Sequence, residues 1–154
     1  MTASENTLAS GKFFRFWSAA NEPRAVVLIS HGLGEHSGRY EHVAAALTAD
    51  NLHVYALDHI GHGKSPGKPA YIDRFSDLTS GVSELRDHIR RHHAGLPVIL
   101  IGHSMGGLIA IRLALGAHAD YAGLILTGPL LGQPEAPSRL QVMLLRVLSV
   151  VAPK

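Results

Sequence analysis

The stretch that decides the fold is Val98-Ile99-Leu100-Ile101-Gly102-His103-Ser104-Met105-Gly106-Gly107-Leu108-Ile109. It is an apolar run that ends in a glycine-flanked serine and then restarts as a helix-like segment. The pattern Gly102-x-Ser104-x-Gly106 is typical of a nucleophile elbow, a sharp strand-to-helix turn that lifts a serine hydroxyl above a sheet. The serine takes a strained, positive-φ conformation, and its neighbours lack a Cβ so that strand and helix can approach closely. The stretch therefore predicts a buried strand, a turn at Ser104 and a following helix.

Composition indicates a single globular domain. The chain has 154 residues, of which 46% are hydrophobic, and a formal net charge of +2. That length is enough to bury one core, and the small, scattered charge argues against a nucleic-acid partner. The absence of cysteine excludes a disulfide framework, a thiolate nucleophile and a cysteine-ligated metal. The polar segment Met1–Ser10 has no apolar signal-peptide core, so we expect a cytoplasmic protein.

Strands and helices alternate along the chain. The patterns predict strands over 13–19 (the second arm of an edge hairpin), 25–30, 53–58 and 124–127, besides the run before Ser104, with helices over 39–50, 73–94 and 105–115. We expect the stripe from Phe75 to Ile89 to belong to the core, and the helix after Ser104 to be buried centrally. This order predicts an α/β fold, a mainly parallel sheet with helices on both faces and right-handed crossovers.

The last segment of the chain differs from the rest. A loop over 132–137 precedes a helix over Arg139–Val151 whose apolar residues recur at helical spacing, and Ser138 is placed to cap it. About 13 residues are too few to span a bilayer, which needs ~20. This helix is expected to act either as a lid-like or interfacial element, or as one that packs on protein beyond this chain.

A serine hydroxyl needs a base to take its proton and donors already aimed at the oxyanion that forms. Two backbone groups are the natural donors. One is the N–H of Met105, directly after the serine, and the other is an N–H of the turn His31-Gly32-Leu33-Gly34, which we assign to Leu33. The sequence thus predicts an oxyanion hole made of two N–H groups beside Ser104.

Three motifs in order carry a family resemblance: the elbow Gly102-His103-Ser104-Met105-Gly106-Gly107, and the segments His31-Gly32-Leu33-Gly34-Glu35-His36-Ser37-Gly38-Arg39-Tyr40 and Asp58-His59-Ile60-Gly61-His62-Gly63-Lys64-Ser65. Together they resemble the monoacylglycerol lipase and lysophospholipase branch of the α/β-hydrolase superfamily, which includes serine aminopeptidase-like hydrolases. The similarity runs from about Arg24 to the end of the chain. It implies an α/β-hydrolase fold, with residues 1–132 as the N-terminal part of the core and 133–154 as the beginning of a cap.

The resemblance also implies roles for individual residues. Ser104 would be the nucleophile that forms an acyl-serine intermediate, with the N–H groups of Leu33 and Met105 as oxyanion hole. Glu35 and Arg39 would lie near the polar end of a pocket for a glycerol-like head group, and apolar cap residues would line the acyl channel. The expected partner is a lipid ester such as a monoacylglycerol, with the cap as the segment for any peripheral membrane contact. No cofactor and no metal are implied, and we assign the 58–65 turn a structural role.

The acid and base of that family are expected after later strands of the sheet, in the order serine, aspartate, histidine. They do not appear in this sequence. Asp120 and Glu135 follow the elbow but have no downstream histidine to orient. His103 adjoins Ser104 and should leave the turn in another direction, so it is not expected to act as the base. We therefore expect the N-terminal portion of a hydrolase, cut before the last strands and most of the cap, with negligible turnover and poor solubility by itself.

Other interpretations remain open. Ser104 could be an ordinary turn serine, and Glu35 and Arg39 a solvated ion pair. His59 and His62 could suggest a metal, but the sequence shows no third ligand at sensible spacing. Among enzymes, a lysophospholipase, another esterase or an aminopeptidase-like hydrolase is the alternative, because the contents of the pocket rather than the fold decide the substrate. A non-catalytic truncated protein or binding module is the alternative of another class.

Overall fold

The computed structural model describes residues 2–116, 121–132 and 138–151. The elements, in chain order, are β1 (Ser4–Thr7), β2 (Phe13–Trp17), β3 (Ala25–Ser30), a 3-10 helix (Ser37–Tyr40), α1 (Glu41–Ala49), β4 (Leu52–Leu57), α2 (Phe75–His92), β5 (Val98–His103), α3 (Met105–Gly116), β6 (Gly123–Thr127) and α4 (Arg139–Val151). Every strand and helix predicted from the sequence is present, with bounds that shift by a few residues.

One six-stranded sheet organises these elements in the order β1-β2-β4-β3-β5-β6. The hairpin β1–β2 is antiparallel and joins β4 antiparallel, while β4, β3, β5 and β6 run parallel to one another. The parallel strands are connected through helices, as parallel pairs require. The predicted α/β architecture with a mainly parallel sheet is therefore confirmed.

Two apolar clusters cover the two faces of the sheet. Alternate residues of β3 point to opposite faces, so Val26 and Leu28 join the cluster with α2 and α3, whereas Val27 and Ile29 join the cluster with α1. All six residues of β3 are buried. A central strand covered on both faces needs such a continuous apolar run.

Three expectations need correction. The helix predicted from Arg39 begins as a 3-10 helix and turns into α1 only at Glu41, because Tyr40 has non-helical dihedral angles. Phe75 is 36% exposed, since it is the first residue of α2, whereas the stripe from Leu78 to Ile89 is buried as predicted. The end of α3 is not buried as expected, because Ala114, Leu115 and Gly116 are exposed, whereas Leu113 belongs to the core.

The end of the chain has a different environment. On α4, several apolar side chains are exposed: Leu140, Met143, Leu144, Val147 and Val151. Parts of the predicted loop, and the carboxylates Asp120 and Glu135, lie outside the described residues. Within the described ranges, no helix is both long and apolar enough to cross a membrane.

Candidate active site

Ser104 lies at the junction between β5 and α3, and its backbone is held from both sides. Its N–H donates to the carbonyl of Thr127 at 3.0 Å, while its carbonyl accepts from Gly107, Leu108 and Leu130 at 3.0 to 3.2 Å. These bonds fix a φ of 51°, a left-handed conformation that costs about 1–3 kcal/mol for a residue with a side chain. The strained turn expected of a nucleophile elbow is thus present at the predicted serine.

Two glycines make this junction possible. A Cβ on Gly106 would collide with the backbone carbonyl of Ser30, and a Cβ on Gly102 would lie 2.5 Å from the carbonyl oxygen of Gly106. Both obstacles are backbone atoms, which cannot move aside as a side chain could. The helix after the serine therefore packs directly on β3 and β5, as the spacing of the glycines predicts.

Near Ser104, the backbone N–H groups of Leu33 and Met105 have no acceptor in the described part of the chain, and the same holds for those of Gly34 and Gly106. Met105 is the first residue of α3, where a helix leaves its N–H groups without an intrahelical partner. The turn that carries Leu33 passes beside the serine, because a Cβ built on Gly32 would lie 3.3 Å from the Cβ of Ser104. The structure brings this turn and the elbow together, with donors left over to bind an anion.

Glu35 holds the shape of that turn. One carboxylate oxygen, Oε2, accepts from the N–H of Gly32 at 3.0 Å and from the hydroxyl of Tyr40 at 2.8 Å. Burial alone would raise the pKa of Glu35, but these two hydrogen bonds, together with the electrostatic effect of His103 and Arg39, outweigh burial and lower the pKa. With the N–H of Gly32 occupied, the N–H groups of Leu33 and Gly34 are the ones in this turn that have no acceptor among the described residues. Tyr40 is the last residue of the motif segment 31–40, and no sequence pattern indicated this hydrogen bond.

A groove of about 220 Å³ reaches His103, the residue before Ser104, and it is lined by Glu35, Arg39, Tyr40, His42, Val43, His103 and Thr127. Arg39 contributes a mostly exposed guanidinium, whose Nε lies 3.3 Å from Oε1 of Glu35. The two residues predicted for a polar pocket therefore share one groove. They also form the ion pair of the alternative interpretation, so the geometry is compatible with both roles.

Comparison with known proteins places this chain in a family. A family model described as serine aminopeptidase, S33, matches residues 21–154. The chain belongs to this serine aminopeptidase family. Within it, the chain is 42% identical to a human monoglyceride lipase over 92% of this chain and 47% of that protein. It is 38% identical to a monoacylglycerol lipase of Mycolicibacterium smegmatis, over 89% of this chain and 49% of that protein.

A solved structure supports the same relationship. The monoacylglycerol lipase of Paleococcus ferrophilus superimposes with a TM-score of 0.73 at 31% identity, over 99% of this chain and 53% of that chain. The resemblance to the monoacylglycerol lipase branch and the α/β-hydrolase fold are thereby confirmed. The chain spans about half the length of the curated relatives it matches.

A serine that acts as a nucleophile needs a base, and no histidine ring is hydrogen-bonded to the Ser104 hydroxyl within the described ranges. The nearest in sequence, His103, turns its Nδ1 to the hydroxyl of Thr127 at 2.9 Å and to the carbonyl of Thr127 at 3.1 Å. The side chain of His103 is therefore engaged across the β5–β6 pair, and we do not assign it as the base.

His31 is the first residue of the turn His31-Gly32-Leu33-Gly34, which we call the oxyanion turn, and its side chain is buried. Its Nδ1 lies 2.7 Å from the carbonyl of Gly32, which can only accept, so Nδ1 carries the proton. Its Nε2 accepts from the N–H of His59 at 3.0 Å. Burial lowers the pKa of His31 to about 4, and burial also lowers the pKa of His59 well below the ordinary range. These neutral rings support the turn and are not placed to take a proton from Ser104.

A metal site at these histidines was the remaining alternative. The rings of His31 and His62 lie 5.3 Å apart between centroids, and Nδ1 of His62 contacts the carbonyl of Ile60 at 3.0 Å. Among the described residues, no group of three or more ligand-type side chains has an arrangement that could hold a metal ion. The geometry thus offers no support for using these histidines as ligands.

Proposed function

We propose that this chain is the N-terminal portion of a serine ester hydrolase that acts on monoacylglycerols, with Ser104 as the nucleophile. The observation that carries the proposal is the strained φ of 51° at Ser104 together with free N–H groups at Leu33 and Met105. A turn serine without a catalytic role has no need of strain at a point where two donors also lack acceptors. The lipases among its relatives support the choice of ester.

The proposed reaction has two halves. In the first, Oγ of Ser104 attacks the ester carbonyl carbon and gives its proton to a base, which we place outside this chain. The carbonyl oxygen becomes an oxyanion that accepts from the N–H groups of Leu33 and Met105. The bond to the glycerol oxygen then breaks, and glycerol leaves with the proton. In the second half, water gives one proton to the base and its oxygen attacks the acyl carbon; the bond to Oγ then breaks, the fatty acid leaves, and the base passes that proton to Oγ of Ser104.

We assign the groove at Glu35 and Arg39 to the glycerol head group. The carboxylate of Glu35 is held by Gly32 and Tyr40, so it is a fixed acceptor, whereas the exposed guanidinium of Arg39 can turn toward a hydroxyl. Residues 1–132 would form the core of the hydrolase, and 133–154 would begin a cap that lines the acyl channel. The exposed apolar side chains of α4 suit contact with acyl chains or the surface of a membrane, and we propose a cytoplasmic location.

The test is titration with a fluorophosphonate, which labels an activated serine, in the intact protein that carries this sequence. We expect stoichiometric labelling and monoacylglycerol hydrolysis, both lost in Ser104→Ala. The matched control is Ser80→Ala, because Ser80 lies exposed on α2 and should label like the wild type. A wild type that stays as unlabelled as Ser104→Ala would refute the proposal and favour a non-catalytic binding module.

A further inference from the structure

Arg15 links the edge hairpin β1–β2 to the 3-10 helix that follows the turn at Leu33. Arg15 on β2 pairs directly across the hairpin with Glu5, and its Nη2 donates to Oε1 of Glu5 at 3.0 Å. Its Nη1 donates in the other direction, to the hydroxyl of Ser37 at 2.7 Å. One guanidinium therefore links the edge of the sheet to the first residue of the 3-10 helix.

Ser37 is fully buried and is held at two points. Besides the bond from Arg15 to its hydroxyl, its N–H donates to Oδ1 of Asp58 at 2.6 Å. The other oxygen of Asp58 accepts from the N–H of Lys64 at 2.8 Å, and the ammonium of Lys64 donates to Oε2 of Glu5 at 2.6 Å. The contacts close into a ring, Arg15, Ser37, Asp58, Lys64 and Glu5, in which most bonds involve a charge and are stronger than neutral ones.

The 3-10 helix connects Ser37, which the ring holds in place, to the oxyanion turn. Ser37 is its first residue and Tyr40 its last, and the hydroxyl of Tyr40 holds Oε2 of Glu35. Glu35 in turn binds the N–H of Gly32, the residue before Leu33. A shift of Ser37 therefore moves Tyr40 and Glu35, and it changes the direction in which the N–H of Leu33 points.

We propose that Arg15 is a positioning residue for the oxyanion turn. Although it lies on the edge hairpin, outside the site, it fixes the direction of the N–H of Leu33. This inference rests on the proposed function, since it assigns Arg15 a role through the N–H of Leu33. Loss of an oxyanion donor typically costs about 100 to 1,000-fold in rate. When the N–H is still present but points in the wrong direction, we expect a smaller loss of rate, about tenfold.

The kinetic test compares fluorophosphonate labelling of the wild type, Arg15→Met and Arg15→Lys in the intact protein. For Arg15→Met we expect the maximal rate of inactivation to fall about tenfold, while the inhibitor concentration for half-maximal rate changes less than about twofold. Arg15→Lys should recover part of the rate, because an ammonium can still donate to Ser37. The matched control is Arg24→Met, which removes an exposed side chain whose Nε donates to the carbonyl of Asp50.

A second readout does not depend on activity. Amide hydrogen exchange at Gly32 and Ser37 should be at least about tenfold faster in Arg15→Met and unchanged in Arg24→Met. If Arg15→Met does not fold, Glu5→Gln replaces it, and we expect a smaller change of the same kind. Unchanged exchange and an unchanged maximal rate would overturn the inference. A wild type that labels no better than Ser104→Ala would refute the proposed function instead, and exchange alone would then decide the role of Arg15.

Discussion

Strands β3 and β6 are both short and apolar, yet only β3 is buried. In β3 every residue is inaccessible, with Leu28 at 0% exposure, whereas in β6 Leu124 is 39% and Ile125 is 49% exposed. The difference lies in their neighbours, because β3 pairs with β4 and β5, while β6 pairs with β5 alone among the described strands. An apolar run thus predicts a strand, but the elements that cover the strand decide what it contributes to stability.

The largest expected effect tests this difference directly. We expect Leu28→Ala to lower the free energy of unfolding by about 3 kcal/mol, through lost burial and a cavity in the centre of the sheet. Leu124→Ala should cost about 1 kcal/mol or less, since much of that side chain is already in contact with solvent. Urea unfolding of both variants measures the two values. Equal losses would mean that β6 is covered in solution, contrary to the structure.

A second effect, on the pH dependence of stability, comes from the buried part of the sheet around β3. There His31 is buried with a pKa of about 4. Its pKa in the unfolded chain is about 6.5, so below that pH the unfolded state binds more protons than the folded state. The stability that neutral His31 contributes to the folded state is therefore complete above pH 6.5 and is lost as the pH falls toward 4. Between pH 7 and pH 5 we expect a loss of about 2 kcal/mol from His31, with His59 acting in the same direction.

Urea unfolding at a series of pH values measures this loss, and the ring resonances of His31 identify its source. The lowered pKa of Glu35 acts in a separate window, since the stability it contributes is lost only below its ordinary pKa of 4.5. A ring of His31 that titrates near pH 6.5, or a stability that is constant from pH 7 to pH 5, would contradict the buried neutral state.

The smallest effect on the free energy of unfolding is expected on the exposed strand β6. We expect Ile125→Lys to change the free energy of unfolding by less than about 1 kcal/mol, because this side chain is half exposed. The same change should reduce self-association of residues 1–154, since a charge on an edge strand disfavours pairing with another chain. Sedimentation velocity measures the association, with the exposed Ser18→Lys as a control for added charge. Equal association in both variants would show that the edge of β6 is not the contact.

Much of the fold could be predicted because the local patterns are strong. The buried strand before Ser104, the amphipathic stripe of α2 and the hairpin arm at β2 are specified by residues close together in sequence. Phe75 shows where such reasoning ends, since it fits the stripe by spacing but lies at the first turn of α2, where it is 36% exposed. Periodicity predicts the face of a helix, and only packing decides how far along the helix that face is covered.

The candidate site was predicted in part for the same reason. Ser104, Leu33 and Met105 were found because the elbow and the oxyanion turn are contiguous motifs, and their catalytic roles stay predictions. The support of the turn was not foreseen, because it depends on contacts distant in sequence, from Arg15 to Ser37 and from Ser37 to Asp58. Sequence spacing carries no information on such contacts until the sheet brings the segments together.

The sequence by itself determined the elbow, the order of strands and helices, and the family. Glycine spacing and apolar periodicity are local steric and solvation effects, so each acts within a few residues of chain. Only the tertiary structure decided that Glu35 is held by Gly32 and Tyr40, that His31 is neutral, and that β6 is open where β3 is covered. The burial of a residue depends on all the elements that pack around it. Its pKa and its hydrogen-bond partners depend on the same elements.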